Sequence, residues 1–192
     1  MARLHLASTS PRRHELLRQI GLQPLPLTVS VDESVRAGEA AADYVLRLAL
    51  AKAEAGCHLL GDPSAWVLAA DTTVCAGGEI LGKPVSLADA RRIWRLLPSP
   101  DHQVLTGIAL MHAGRVFSDV ISTAVQFQTI PDEEQAAYWA TGEPCDKAGG
   151  YAIQGRAALY VSAIRGSYSN VVGLPLAETA ALLRRSQFPL WE

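Results

Sequence analysis

The segment STSPRR, residues 8–13, combines side chains and backbone that can bind an anion. An apolar run at residues 4–8 predicts a buried strand, and Pro11 is typical of the first position of a helix. A helix N-terminus directs N–H groups and partial positive charge toward an anion, and the guanidinium forks of Arg12 and Arg13 add donors. These residues alone leave two interpretations open, a phosphate-binding turn and a capped helix with two solvent-facing arginines.

Asp71 is the best candidate for a catalytic acid. It follows the apolar run WVLAA, which predicts a buried strand that ends at this carboxylate, and α/β folds commonly present catalytic groups at such strand ends. An aspartate there can bind a divalent cation or orient water, or it can simply belong to a turn. Glu33, in VDES, is a second candidate acid, although alone it is only a loop residue. Lys52 lies in a predicted helix, where a solvent-facing lysine is the default expectation.

The segment GGEILGKP resembles a phosphate-binding P-loop but fails two of its requirements. Gly77, Gly82 and Lys83 have the spacing GxxxxGK, whereas Pro84 replaces the hydroxyl residue that holds magnesium. A P-loop also opens a helix, and here the residues Glu79–Leu81 predict a strand. The P-loop interpretation is therefore rejected, and Lys83 is kept as a lone charge that can contact phosphate.

The glycine-rich segment DKAGGYAIQG, residues 146–155, is a candidate for nucleotide contact. Glycines let the backbone pass close to a ligand. Gln154 carries both a donor and an acceptor, which suits the edge of a base. A plain glycine-rich turn between strands is the alternative.

Periodicity and stop signals predict the elements that position these residues. Helices are predicted from Pro11 with Ser10 as N-cap and Gly21 as stop, over Tyr44 to Ala55 with Gly56 as stop, from a Ser86–Asp89 capping box, from Pro131 to Gly142, and over Pro175 to Arg185. Further strands are predicted over Pro24 to Val31, in a hairpin of Gln103 to His112 with Val116 to Gln128, and over Leu159 to Ile164. Because strands and helices alternate around one antiparallel pair, we expect a mixed α/β sheet.

Composition limits the class of protein. The 192 residues, 49% of them hydrophobic, suit one compact α/β domain, and the net charge of −2 argues against a general nucleic-acid binder. The three cysteines form no CxxC pair, so zinc binding and a disulfide framework are not expected, and free thiols fit a reducing cytoplasm. No signal peptide is expected from the N-terminal residues, and because no apolar run reaches about 18 residues, no membrane span is predicted.

Five segments, taken in order, resemble the Maf family of nucleotide pyrophosphatases. They are LASTSPRRHELL, AADTTV, LGKP, DKAGGYAIQG and GSYSNVVGLPL, and the resemblance spans almost the whole chain. It implies one Maf-like domain over residues 1–192 and a fold like that of the inosine triphosphate pyrophosphatases. That fold is an elongated mixed β-sheet flanked by helices, with a cleft between two lobes.

The resemblance also implies roles for individual residues. The family's catalytic acid falls on Asp71, and a further acid falls on Glu33, with both carboxylates available to a divalent metal, Mg²⁺ or Mn²⁺. The phosphate-contacting positions fall on Ser8, Arg13, Lys52 and Lys83. Three specificity positions of the dTTP and UTP branch, which are Arg, Thr and Gln, fall on Arg12, Thr72 and Gln154.

The function implied by the resemblance is hydrolysis of nucleoside triphosphates, with dTTP and UTP preferred, to the monophosphate and pyrophosphate. A neutral amide at Gln154 can pair with O4 and N3–H of uracil or thymine, whereas the glutamate of the 7-methyl-GTP branch only accepts hydrogen bonds. The resemblance further implies a homodimer, and the free thiols predict a cytoplasmic protein. The alternative function is a regulator of cell division that binds a nucleotide without cleaving it.

Overall fold

The computed structural model describes residues 2–98 and 102–191. The strands are β1 (Leu4–Ala7), β2 (Leu25–Leu27), β3 (Trp66–Ala76), β4 (Glu79–Leu81), β5 (His102–His112), β6 (Arg115–Phe127) and β7 (Val161–Arg165). The α-helices are α1 (Pro11–Gln19), α2 (Ala41–Leu60), α3 (Leu87–Leu96), α4 (Asp132–Ala140), α5 (Tyr168–Val172) and α6 (Leu176–Arg185). Short 3-10 helices cover Glu143–Asp146, Ala148–Gly150 and Arg156–Tyr160.

The strands form one mixed sheet in the order β2-β1-β3-β5-β6-β7, with β4 paired to β3. Strand β1 runs parallel to both β2 and β3, whereas the β3–β4 and β6–β7 pairs are antiparallel. The predicted hairpin is confirmed, because Ala113 and Gly114 join β5 to β6 with φ angles of 50° and 72°. The prediction of a mixed α/β fold is therefore confirmed.

The chain divides into two compact units. The first comprises residues 2–71, 106–121 and 173–191, and the second comprises residues 72–98, 102–105 and 122–172. Strands β3, β5 and β6 each contribute residues to both units. The expectation of a single domain over residues 1–192 stays a prediction.

The first unit is built on small side chains between α2 and the sheet. Its core cluster consists of Ala7, Ala49, Ala53, Val67, Ala69 and Ala109. A Cβ atom added at Gly56 would lie 2.8 Å from Val67 Cγ1, and one added at Gly107 would lie 2.8 Å from the Leu46 nitrogen. Helix α2 therefore lies close against the strands, which places its side chains, including Lys52, near the sheet.

The second unit has a larger, aromatic core. Its buried side chains include Leu81, Ile93, Trp94, Val104, Phe127, Ile130, Tyr138 and Tyr151. Trp94, from α3, donates a hydrogen bond from Nε1 to the Gly150 carbonyl oxygen at 2.7 Å. His102 contacts the Tyr151 hydroxyl through Nε2 at 2.7 Å. The glycine-rich segment is thus held against this core at Gly150 and at Tyr151.

Several predicted boundaries are wrong. Strand β3 does not end at Asp71, because its ladder continues through Val74, which pairs with Leu81 of β4. Helix α2 does not stop at Gly56, because that glycine is buried against β3, and the helix ends at Gly61 with a left-handed φ of 63°.

Another wrong boundary lies before β7. Residues predicted to begin that strand instead form the 3-10 helix Arg156–Tyr160, and the strand starts at Val161. The predicted strand at residues 24–31 is confirmed only over Leu25–Leu27. Ser86 caps α3 as predicted, since its Oγ accepts the Asp89 N–H at 3.1 Å. Within residues 2–98 and 102–191, no helix has the length and hydropathy required to cross a membrane.

Candidate active site

The turn between β1 and α1 is organised around Ser8. Its Oγ accepts hydrogen bonds from the Ser10 amide and from Arg13 Nη1, each at 3.2 Å. The Nε of Arg13 donates to the Gly173 carbonyl oxygen at 2.8 Å, and His14 Nε2 contacts the Ser8 carbonyl oxygen at 3.2 Å. Ser10 occupies the N-cap position as predicted, but its side chain makes no capping bond. The guanidinium of Arg13 is therefore held in place beside the N-terminus of α1.

Lys52 joins the two candidate acids. Its Nζ lies 2.7 Å from Asp71 Oδ1 and 2.6 Å from Glu33 Oε1. The side chains of Lys52 and Asp71 are only 13% and 11% exposed, whereas that of Glu33 is 55% exposed. The default expectation of a solvent-facing Lys52 is wrong, because α2 directs this side chain to the carboxylate on β3.

The environment of Asp71 raises the pKa of its carboxyl group above the ordinary value. Burial raises the pKa of this carboxyl group, and Glu33 adds to the increase, while the charges of Lys52 and Arg13 oppose it. A carboxylate whose pKa is raised is a better proton acceptor than an ordinary aspartate. Asp71 thus has the burial and the neighbouring cations expected of a group that acts on water or a metal ion.

The loop that carries Glu33 is held by α2. The hydroxyl of Tyr44 donates to the Glu33 carbonyl oxygen at 3.0 Å, and Arg47 Nη2 donates to the Ser34 carbonyl oxygen at 3.0 Å. Arg47 also forms a two-pronged ion pair with Glu39 at 2.6 and 2.7 Å, which lowers the pKa of Glu39 to about 2. The same helix therefore supplies Lys52 and fixes the backbone around Glu33.

The second unit carries Thr72, Lys83 and Gln154. Thr72 is the residue after Asp71 in β3 and is half-buried. Lys83 is exposed in the loop after β4, and the preceding Gly82 accepts a hydrogen bond from the Gly149 amide at 3.1 Å. The structure thus brings the loop of Lys83 against the glycine-rich segment. Gln154 is exposed in the turn that precedes the 3-10 helix Arg156–Tyr160.

The predicted site residues are divided between the two compact units. The first unit holds Ser8, Arg12, Arg13, Glu33, Lys52 and Asp71, and the second holds Thr72, Lys83 and Gln154. Direct contacts join Ser8 to Arg13, and they join Lys52 to both carboxylates. The roles assigned to all nine residues stay predictions.

Sequence reasoning missed the residues that hold this site in shape. Gly173, which accepts from Arg13, is 160 positions away along the chain, so no local pattern links the two residues. Tyr44 and Arg47 lie on the polar side of a predicted helix, where an exposed side chain is the ordinary expectation. Glu143, which fastens the backbone just after Gln154, also gave no signal in the sequence.

A family model described as "Maf-like protein" matches residues 3–186 of the chain. A relative from Anaeromyxobacter dehalogenans (strain 2CP-C), named dTTP/UTP pyrophosphatase, is 52% identical over 99% of this chain and 97% of its own length. Proteins of the same name from Aromatoleum aromaticum and Hahella chejuensis are 49% and 47% identical, each over 98% of this chain and over 98% and 94% of their own lengths.

Solved structures also resemble the chain, more distantly. The Ham1 protein of Staphylococcus aureus matches with a TM-score of 0.45 and 17% identity over 64% of this chain and 71% of its own. The TM-score is too low to carry weight, so the family assignment depends on the sequence matches. Because the family model covers nearly the whole chain and relatives are about half identical to it over their full length, the chain belongs to the Maf-like protein family.

Proposed function

We propose that this protein hydrolyses dTTP and UTP to the corresponding monophosphate and pyrophosphate. Support comes from the relatives of that name, which are 47–52% identical over nearly the full chain. The structural observation that carries the proposal is the contact of a buried carboxylate, Asp71, with the Lys52 ammonium at 2.7 Å. A site that hydrolyses a phosphoanhydride needs such a carboxylate to act on water and cations to stabilise the leaving group.

The first unit supplies the groups for the triphosphate. The N-terminus of α1 and the anchored Arg13 present N–H donors, while Lys52 adds a positive charge beside Asp71. In a site of low exposure these cations stabilise the negative charge that develops on the departing pyrophosphate. Asp71 orients or deprotonates the water that attacks the α-phosphorus, and its raised pKa suits the second task.

The two carboxylates fit a divalent cation. Oxygen atoms of Asp71 and Glu33 converge on the single Lys52 Nζ position at 2.7 and 2.6 Å, so both can face one positive charge. Among the described residues no cluster of three or more acidic, histidine or cysteine side chains could hold a metal by itself. Mg²⁺ is commonly held by one or two carboxylates together with substrate phosphates, and this donor set matches that pattern. When bound, Mg²⁺ or Mn²⁺ would neutralise phosphate charge.

Base selection is assigned to Arg12, Thr72 and Gln154. The side-chain amide of Gln154 is exposed and can both donate to O4 and accept from N3–H of a uracil or thymine ring. Cytosine and adenine present the opposite arrangement, an amino donor beside a ring-nitrogen acceptor, so they pair less well with an amide held in that orientation. Guanine presents the same order as uracil, an acceptor at O6 and a donor at N1, and differs from it by a larger ring and an added amino group. Discrimination by paired hydrogen bonds is strong, because a mismatched base leaves polar groups unpaired.

The test is pyrophosphate release measured over a panel of nucleoside triphosphates in Mg²⁺, in Mn²⁺ and in EDTA. We expect UTP and dTTP to give the highest kcat/KM, and we expect EDTA to suppress release. Tight nucleotide binding without release of pyrophosphate from any triphosphate would contradict the proposal and favour a non-hydrolytic regulator. Undiminished release of pyrophosphate in EDTA would contradict the proposed role of a divalent metal ion.

A further inference from the structure

Glu143 forms an unusual number of hydrogen bonds for a half-buried carboxylate near a loop. Its Oε2 accepts the Arg156 amide at 2.9 Å, and its Oε1 accepts the Ala157 amide at 3.2 Å. Oε1 also accepts the Tyr138 hydroxyl at 2.8 Å. The carboxylate therefore connects the end of α4 to the start of the 3-10 helix Arg156–Tyr160.

These bonds replace a missing local cap. The first amides of a helix have no partner within the helix, and the N-cap residue here is Gly155, which has no side chain to supply one. Glu143, 13 positions earlier than Arg156, provides the acceptor instead. A hydrogen bond to an ionised carboxylate is roughly twice as strong as one between neutral groups.

Gly155 allows this close approach. A Cβ atom added at Gly155 would lie 2.6 Å from Glu143 Oε1, so a larger residue would displace the carboxylate from the two amides. The Gly155 amide itself donates to the Ala152 carbonyl oxygen at 3.0 Å. Gln154 therefore lies inside a turn that is closed by that bond. Glu143 binds the two backbone amides that follow this turn.

The partner on α4 is suited to a permanent donor role. Tyr138 is buried, and this burial, together with the hydrogen bond to Glu143, raises the pKa of its hydroxyl well above the usual value. The hydroxyl therefore stays protonated at neutral pH and continues to donate to the carboxylate.

We infer that Glu143 is a positioning residue for pyrimidine selection, which sets the orientation of the Gln154 side chain through the Arg156 and Ala157 amides. The inference rests on the proposed function, since it assigns Gln154 to the uracil or thymine edge. Glu143 itself has no role in the hydrolytic step. Its loss is expected to loosen the turn and to weaken the preference for uracil and thymine over cytosine.

The test compares Glu143→Gln with Glu133→Gln as a matched control. Glutamine retains one acceptor oxygen but turns an NH₂ group toward one of the two amides. Glu133 is exposed in the first turn of α4, so the control makes the same change of charge in the same unit without touching this turn. We expect Glu143→Gln to raise KM for UTP about tenfold with a smaller change in kcat, since loss of one charge-assisted bond is about one tenfold step. The control should change neither parameter.

A double-variant cycle separates positioning from general loss of structure. If Glu143 acts through Gln154, the variant that combines Glu143→Gln with Gln154→Ala should have the same UTP-to-CTP ratio of kcat/KM as Gln154→Ala alone. Fully additive effects would overturn the inference. If Glu143→Gln does not fold, Tyr138→Phe, which removes only one of the three bonds, gives a milder change that is expected in the same direction.

Two measurements do not depend on turnover. Hydrogen exchange at the Arg156 and Ala157 amides should accelerate in Glu143→Gln, and the affinity for α,β-methylene-UTP should fall about tenfold. Unchanged exchange and affinity would overturn the inference. If the wild-type protein binds the analogue and releases no pyrophosphate from UTP, the proposed function fails while the positioning role is still decided by affinity. If the wild-type protein does not bind the analogue, both fail.

Discussion

Arg12 and Arg13 are neighbours in sequence but have different surroundings. Arg13 is fastened by two hydrogen bonds, to the Ser8 hydroxyl and to the Gly173 carbonyl oxygen, and its charge opposes the increase that burial causes in the pKa of Asp71. An anchored guanidinium close to the buried carboxylate suits a fixed contact to phosphate. Arg12 precedes it in α1 and is proposed to select the base, so substitutions of the two arginines are expected to have different effects.

We therefore predict that Arg13→Ala lowers kcat/KM for every triphosphate by about 10²-fold, since a charge-assisted phosphate contact common to all substrates is lost. Arg12→Ala should instead change the UTP-to-GTP ratio with a smaller overall loss. Steady-state kinetics on four triphosphates would measure both effects. Identical substrate profiles for the two variants would show that this division of roles is wrong.

Asp71→Asn is predicted to lower turnover by about 10²- to 10⁴-fold, the range expected for loss of a general base. Its effect on stability has a definite sign. Because the pKa of Asp71 is raised above 3.8 in the folded protein, the folded state holds this proton more tightly than the unfolded state does. The contribution of Asp71 to stability therefore decreases as the pH rises from about 3.8 through the raised pKa.

Asparagine does not titrate, so the free energy of unfolding of Asp71→Asn relative to wild type should increase over the same range of pH and then level off. Urea unfolding of the metal-free proteins in EDTA at a series of pH values would measure this difference. A difference that decreases as the pH rises would mean that Lys52 and Arg13, rather than burial, dominate the environment of Asp71.

At the scale of elements, α2 has the most consequences for the site. It supplies Lys52, and through Tyr44 and Arg47 it holds the backbone around Glu33. The helix can lie close to the sheet because Gly56 and Gly107 leave no side chain between the two surfaces. Small residues at this contact therefore determine the distance between Lys52 and the carboxylate on β3.

Gly107→Ala is predicted to destabilise the protein by about 1–3 kcal/mol, because the added methyl group would meet the backbone of α2, which cannot move without shifting the helix. Turnover should fall as well, since Lys52 moves with α2. Gly82→Ala is the control for stability, because a Cβ atom there meets no heavy atom within 4 Å. Thermal unfolding of the three proteins would measure the effect, and equal midpoints for the two variants would contradict it.

At the scale of the whole molecule, the candidate residues are distributed over two compact units. The first unit carries the two candidate carboxylates and most of the candidate phosphate-binding residues, while the second carries Gln154 and Lys83. A triphosphate and a base are different chemical groups, and each unit has residue types that suit one of them. Binding of a complete nucleotide is therefore expected to stabilise the folded protein by linkage.

Asp71→Asn allows this linkage to be measured without hydrolysis. We predict that UTP at 100 times its Kd stabilises this variant by about 2.7 kcal/mol, and that GTP at the same concentration has a smaller effect. Thermal unfolding with each nucleotide and without any would measure the difference. Equal stabilisation by UTP and GTP would contradict base selection, and the absence of any stabilisation would contradict nucleotide binding.

The order of strands and helices and the candidate residues could be predicted from the sequence, because apolar periodicity, glycines, prolines and capping serines act locally. The capping box at Ser86 and the turn at Ala113–Gly114 are examples, since each depends on residues only a few positions apart. The predicted boundaries of helices and strands are wrong where contacts with distant residues override the local preference. Gly56 is a stop signal by itself, yet burial against Val67 keeps it inside α2.

The sequence by itself determined the family, the mixed α/β class and the chemical types present, a carboxylate, cations and a side-chain amide. Only the tertiary structure showed that Lys52 forms ion pairs with Asp71 and Glu33. It also showed that Asp71 lies inside β3 rather than at its end, and that Glu143 accepts a hydrogen bond from the backbone just after Gln154. The physical reason is that burial, charge pairing and hydrogen bonding over 13 to 160 positions depend on where the chain returns in space. No local pattern of residues encodes those distances.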